Sequence, residues 1–151
     1  MSKPSALVTG GASGIGLAAA KHLLSLGYRV GIVDVNKYAG EAEAEKLGAD
    51  CMFQQVDVSN YSQQAHAFKR VFEWAGGRLD VLIANAGIAD TDGMYKEGAV
   101  DEEGLPLPLN LKTIDVNLNA TLQGVRLFIH FARKRPEVSG KIVITSSVVG
   151  L

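Results

Sequence analysis

The sequence predicts an α/β protein built on a doubly wound parallel sheet. Short apolar runs alternate with longer helical segments along the chain, the pattern of strands joined by crossover helices. The apolar runs Val30-Gly31-Ile32-Val33, Val81-Leu82-Ile83-Ala84 and Ile142-Val143-Ile144 are continuous rather than alternating, as strands covered on both faces require. A glycine-rich turn, Thr9-Gly10-Gly11-Ala12-Ser13-Gly14-Ile15-Gly16, joins the first apolar run to the first helical segment.

Taken in order, the first strand is expected over Ala6–Thr9, followed by an Ala/Leu-rich helix over Ile15–Leu26 that Gly27 ends. A strand over Arg29–Asp34 leads to a short helix, Tyr38–Leu47, with Gly48 after it. The next strand is expected over Asp50–Asp57. The helix Tyr61–Ala75 then places Ala65, Phe68, Val71, Phe72 and Ala75 on one face, with Ser59 or Asn60 as its N-cap. After a strand over Val81–Ala84 the rhythm breaks. Ala89–Leu109 is rich in Asp, Gly and Pro and reads as a long irregular excursion within the domain, the kind of loop that carries function or moves. A helix over Leu111–Lys134, closed by Arg133-Lys134-Arg135 and Pro136, and a strand over Lys141–Ser146 complete the pattern.

The 151 residues suit one domain spanning 1–151, with 47% apolar and 21% charged residues and a formal net charge of -1. That balance carries no electrostatic footprint for nucleic acid or an anionic membrane, so neither is expected as a partner. Cys51 stands alone and cannot form an internal disulfide, which favours a reducing, cytoplasmic setting. Met1-Ser2-Lys3-Pro4 runs directly into the first strand, so no signal peptide is expected, and no apolar stretch is long enough to span a bilayer. His22, His66 and His130 lie far apart with no metal-ligand spacing, so no metal site is expected.

A glycine turn between a strand and a helix leaves backbone N–H groups facing outward, where the positive end of the helix dipole favours a phosphate. Gly10, Ser13, Gly14, Ile15 and Gly16 are expected to form that turn, with glycine serving tight turning, close backbone approach and close helix packing. Asp34 closes the second strand 18 positions after Gly16. An acid there accepts hydrogen bonds from adenosine ribose hydroxyls and repels a 2′-phosphate, which favours NAD; nearby Lys37 keeps NADP admissible.

The spacing Gly10-x-x-x-Gly14-x-Gly16 after Thr9 resembles the glycine motif of the short-chain dehydrogenase/reductase family, and the resemblance runs along the whole chain. It implies a Rossmann-like sheet of order 3-2-1-4-5. Asp57-Val58 matches the family's Asp-Val pair, whose carboxylate and backbone contact adenine; an Asp-x-Ser turn starting a helix explains the same residues, and both readings hold together. Asn85-Ala86-Gly87 resembles the family's Asn-Asn-Ala-Gly, with Ala84 in place of the first Asn, and its small residues let the backbone approach the cofactor. Asn117, in Asp115-Val116-Asn117-Leu118-Asn119, matches the helix-borne asparagine that holds a relay water and orients the catalytic lysine; its register prefers it over Asn119. Ile144-Thr145-Ser146-Ser147-Val148-Val149-Gly150 resembles the segment carrying the catalytic serine, which falls on Ser147.

The resemblance implies hydride transfer between a nicotinamide cofactor and a secondary alcohol or carbonyl, a small-molecule substrate, and a homo-oligomer. The family also uses a Tyr-x-x-x-Lys pair as general acid/base, the lysine lowering the phenol's pKa. Tyr28, Tyr38, Tyr61 and Tyr95 are followed four residues on by Ile32, Ala42, Ala65 and Ala99. The chain is therefore expected to be a C-terminally incomplete copy of the fold, inactive or partial alone. A non-catalytic dinucleotide-binding module, or one completed by another chain, is the alternative. A methyltransferase shares the glycine turn and the strand-two acid but has no need of Asn85-Ala86-Gly87 or Ser146-Ser147.

Overall fold

Continuous β-branched runs make strands that can bury both faces, and Val30–Val33 and most of Val81–Ala84 are buried that way. Ile142, Val143 and Ile144, expected to be covered likewise, are exposed because they form the edge of the sheet among the described residues. The structure, a computed structural model, describes residues 3–90, 97–137 and 139–147. Strands β1 (Ser5–Thr9), β2 (Arg29–Asp34), β3 (Cys51–Gln55), β4 (Val81–Ala84) and β5 (Lys141–Ile144) pair in parallel in the order β3-β2-β1-β4-β5. This is the order expected from the sequence.

Side chains alternate across the sheet, and two apolar clusters result. Ala6 and Val8 of β1 and Val30 and Ile32 of β2 pack with Ala20 and Leu23 of helix α1 (Gly14–Ser25). Leu7 and Val33 belong to the opposite cluster, with Ala67, Phe68 and Val71 of helix α3 (Tyr61–Trp74). Helix α2 (Lys37–Leu47) joins α1 on its face, packing on β2 and β3. Cys51 is buried in β3, and burial pushes its thiol up to about 11, so it is a packing residue. Asn36 and Asn60 cap α2 and α3, accepting from the backbone N–H groups of Ala39 and Gln63.

Two strands end two residues short of the sequence-based expectation, while β1, α1, α2 and α3 differ from it by a single residue at one end or both. The third strand stops at Gln55 because Asp57 turns the chain into α3, and the fifth stops at Ile144 because the chain leaves the sheet after Thr145 N donates to the Ala84 carbonyl (3.0 Å). The helix expected over Leu111–Lys134 is three pieces: α4 (Lys112–Ile114), a π turn (Asp115–Asn119) and α5 (Ala120–Ala132). The Ala120 N–H bonds the Asp115 carbonyl five residues back, so the turn holds one extra residue. Val116 and Ala120 still face the core, while Asn117 is exposed. The segment before α4 carries an isolated bridge between Val100 and Pro106; residues 91–96 of the expected excursion lie outside the described residues.

The parallel arrangement brings the C-terminal ends of the strands to one edge of the sheet. Thr9, Asp34, Asp57, Asn85 and Thr145 follow or close their strands there, which is where ligands bind in open α/β sheets.

Candidate functional site

After β1 the chain turns on Gly10, whose φ of 65 lies in the left-handed region that a side chain would strain. Gly10 N and Gly11 N both donate to the Val33 carbonyl (2.8 and 3.2 Å), fastening the turn to β2. Asp34 braces it from the other side: its Oδ2 accepts from Ala12 N (3.1 Å) and its Oδ1 from Asn36 N (3.0 Å). Each carboxylate oxygen keeps lone-pair capacity for a further donor. Ser13 occupies the N-cap of α1 without a side-chain cap bond, so the first-turn N–H groups of the helix need acceptors from outside it.

The end of β4 is tied to the same turn. The Thr9 hydroxyl accepts from Asn85 N (2.9 Å) and Ala86 N (3.0 Å). Asn85 Nδ2 donates to the carbonyls of Thr9 and Gly10 (3.3 Å each), and its Oδ1 accepts from the Thr145 hydroxyl (3.0 Å). One amide thus links the ends of β1, β4 and β5.

These ends enclose a cleft of about 590 Å³, within the size range of small-molecule sites. Of the binding residues read from the sequence, Gly10, Ser13, Gly14, Ile15, Asp34, Asp57, Val58, Asn85, Ala86 and Gly87 line it. Gly16 lies behind the turn. Val33, Val35, Val56, Ile88 and Val116 add apolar wall, and Lys112 and Thr145 add polar groups. Lys37 instead pairs with Glu41 (3.8 Å) on the surface.

Asp57 serves the start of α3 as well as the cleft. Its Oδ1 accepts from Ser59 N (3.0 Å) and the Ser59 hydroxyl (2.6 Å), and its own N–H donates to Gln63 Oε1 (3.0 Å). The Ser59 hydroxyl is the chief cause holding the Asp57 carboxyl below its ordinary value; burial opposes it, and Ser59 N–H and the Lys112 charge assist. The folded state therefore favours the carboxylate. The stability this adds is present above the ordinary carboxylate range and is lost as pH falls through the lowered value. Ser59→Ala is expected to raise the Asp57 pKa, read by carboxyl NMR titration. An unmoved titration would assign the shift to some other group.

Asn117 lies beside the cleft, against Gly87 and Ile88 of its lining. Asn117 Oδ1 accepts from Ile88 N (2.8 Å) and its Nδ2 donates to the Ile88 carbonyl (2.9 Å), a two-bond clasp on the cleft wall. Asn119 Nδ2 instead donates to Asp115 Oδ1 (2.9 Å) along the helix surface, away from that clasp. Ser147 is exposed in the segment after β5; Val148, Val149 and Gly150 of its motif lie outside the described residues. Sequence reasoning passed over Thr9 and Thr145 as site anchors, and Lys112. Their partners are distant in the chain, and no local pattern marks them. Among the described residues no cluster of three His, Cys, Asp or Glu is arranged to hold a metal, and no helix is long and apolar enough to cross a membrane.

A family model described as short chain dehydrogenase matches residues 4–151. The chain is 41% identical over 140 residues to the short-chain dehydrogenase/reductase prx6 of Penicillium rubens, covering 90% of this chain and 46% of that protein. It is 34% identical over 149 residues to the human 3-hydroxyacyl-CoA dehydrogenase type-2, covering 95% of this chain and 55% of that one. The crystal structure of a short chain dehydrogenase/reductase from Burkholderia phymatum in complex with NAD superposes with a TM-score of 0.83 at 26% identity, over 98% of this chain and 50% of that chain. The chain spans about half the length of the curated relatives it matches, 46% and 48% for the first two.

Proposed function

The chain belongs to the short-chain dehydrogenase family, and on that premise we propose that its cleft binds a nicotinamide dinucleotide, NAD in preference to NADP, for oxidoreduction of a secondary alcohol or a carbonyl. The observation that carries this reading is the Asp34 carboxylate, braced by two backbone N–H groups at the rim of the cleft it shares with the glycine turn. The residues fit such a group. The turn offers N–H donors for a pyrophosphate, Asp34 offers acceptors for ribose hydroxyls, and the valines offer an apolar slot for adenine beside Asp57 and Val58.

When bound, the nicotinamide supplies hydride donor or acceptor chemistry. Everything else falls to the chain. The backbone from Asn85 to Gly87, without bulky side chains at Ala86 and Gly87, lets the cofactor lie close to the strand ends. Ser147 donates its hydroxyl to the substrate oxygen and polarises the bond to the reacting carbon. Asn117, clasped to Ile88, keeps the helix on which it sits in register with the cleft wall. Neither group delivers a proton near neutrality, so proton transfer is not assigned to them.

Calorimetric titration with NAD and with NADP tests the reading. NAD is expected to bind the tighter. Asp34→Ala is expected to weaken NAD by about 1.5–3 kcal/mol, the worth of charge-assisted hydrogen bonds, and to narrow the gap between the two dinucleotides. Tighter NADP binding by the unmutated chain would overturn the NAD assignment, and failure to bind either would overturn the proposal.

A further inference from the structure

Gln64 sits on the inward face of α3, 2% exposed, among apolar residues. Its Oε1 is fully buried and accepts no hydrogen bond from the described residues. A half-satisfied buried amide is costly where an apolar side chain would pack without penalty, so its position calls for a reason. Its Nε2 donates to the Ala120 carbonyl (2.9 Å), 56 residues on. Ala120 is the residue that closes the π turn, and within that turn Asn117 grips Ile88. The amide orientation is settled by this bond, since a carbonyl can only accept.

The surroundings are shaped to the amide. A Cβ at Gly124 would lie 3.2 Å from Gln64 Nε2, so glycine there lets α5 come close. Thr9, Gln64 and Thr121 share the lining of a small cavity of about 10 Å³, the least space that holds one water. The Thr9 hydroxyl accepts two N–H bonds already, and its own hydrogen still needs an acceptor. Thr121 donates to the Asn117 carbonyl (3.0 Å) and keeps lone pairs. A water there has the two to four polar neighbours that buried waters need.

We propose that Gln64 is a positioning residue for Asn117. Its amide holds the π turn from behind, and one internal water joins its Oε1 to the Thr9 hydroxyl beneath the cleft. This rests on the reading of Asn117 given above.

The test uses the chain without cofactor. The Ile88 amide, which donates to Asn117 Oδ1, is followed by NMR hydrogen exchange relative to the Val8 amide in β1. In Gln64→Leu, and in the more adaptable Gln64→Met if the first does not fold, Ile88 is expected to exchange about tenfold faster relative to Val8, as loss of a hydrogen-bonded brace implies. Leu23→Ala, which weakens the cluster that holds Val8, is expected to leave the exchange rate of Ile88 itself unchanged. A high-resolution crystal structure of the unmutated chain is expected to show water within hydrogen-bond distance of Gln64 Oε1. An unchanged exchange ratio in the Gln64 variant, or no water at that oxygen, overturns the proposal. An unmutated chain that fails to bind NAD overturns the functional reading instead, and leaves the exchange result standing.

Discussion

Gly16→Ala is expected to weaken dinucleotide binding about 10–100-fold and to lower the melting temperature. Alanine in the first turn of a helix would ordinarily stabilise it by up to about 1 kcal/mol over glycine. Here a Cβ would stand 2.1 Å from the Gly10 carbonyl oxygen and 2.6 Å from Asn85 Nδ2. The nearer obstacle is backbone, so no rotamer change relieves it. The turn must move, and overpacking of this kind costs about 1–3 kcal/mol. Because the same turn carries the N–H groups assigned to the pyrophosphate, the displacement appears in affinity as well as stability. Calorimetric titration and thermal melting followed by circular dichroism check both. Unchanged NAD affinity with a raised melting temperature would mean that the turn does not pack as described.

Phe68→Ala is expected to cost about 3–5 kcal/mol, the range for truncating a buried aromatic. Phe68 is fully buried in the cluster that joins α3, α5 and the sheet, and its ring faces the position of Gly124. Gly124 supplies no side chain to fill the void, so its cost depends on how far Gln64 and the other cluster residues can repack. Denaturant unfolding measures the loss. Dinucleotide affinity of the fraction still folded should change little, because the glycine turn rests on β2 and Asp34. A loss below about 1 kcal/mol would show that α3 and α5 close over the gap and that the cluster is not held by this ring.

The contrast between these two sites explains what could be read from the chain in advance. β2 and β4 are found at the residues expected, since a continuous apolar run bounded by turn residues is a local signal. The convergence of Gly10, Asp34, Asp57 and Asn85 on one cleft was legible for the same reason: each stands at the end of such a run. The π turn was not. Val116 and Ala120 are four apart and buried, as in an ordinary α-helix, and the extra residue leaves that spacing intact. Gln64 falls on the apolar face with Phe68 and Val71, yet nothing near it in sequence announces the Ala120 carbonyl. The Thr9 hydroxyl meets the backbone N–H of Asn85 across 76 positions, and the Thr145 hydroxyl meets the Asn85 side chain across 60. Such contacts are set by the closing of the sheet and have no signature in either partner's surroundings.

The Asn85 side chain deserves to be considered as a mechanical part. A planar amide cannot shift one end without the other. Its nitrogen end is hooked to the glycine turn and its oxygen end to Thr145, two residues before Ser147. A ligand that tightens the turn is expected to shift the Thr145 hydroxyl through this amide, and by linkage a ligand held at Thr145 would act on the turn to the same extent. The two ends of the cleft thus share one side chain, Asn85.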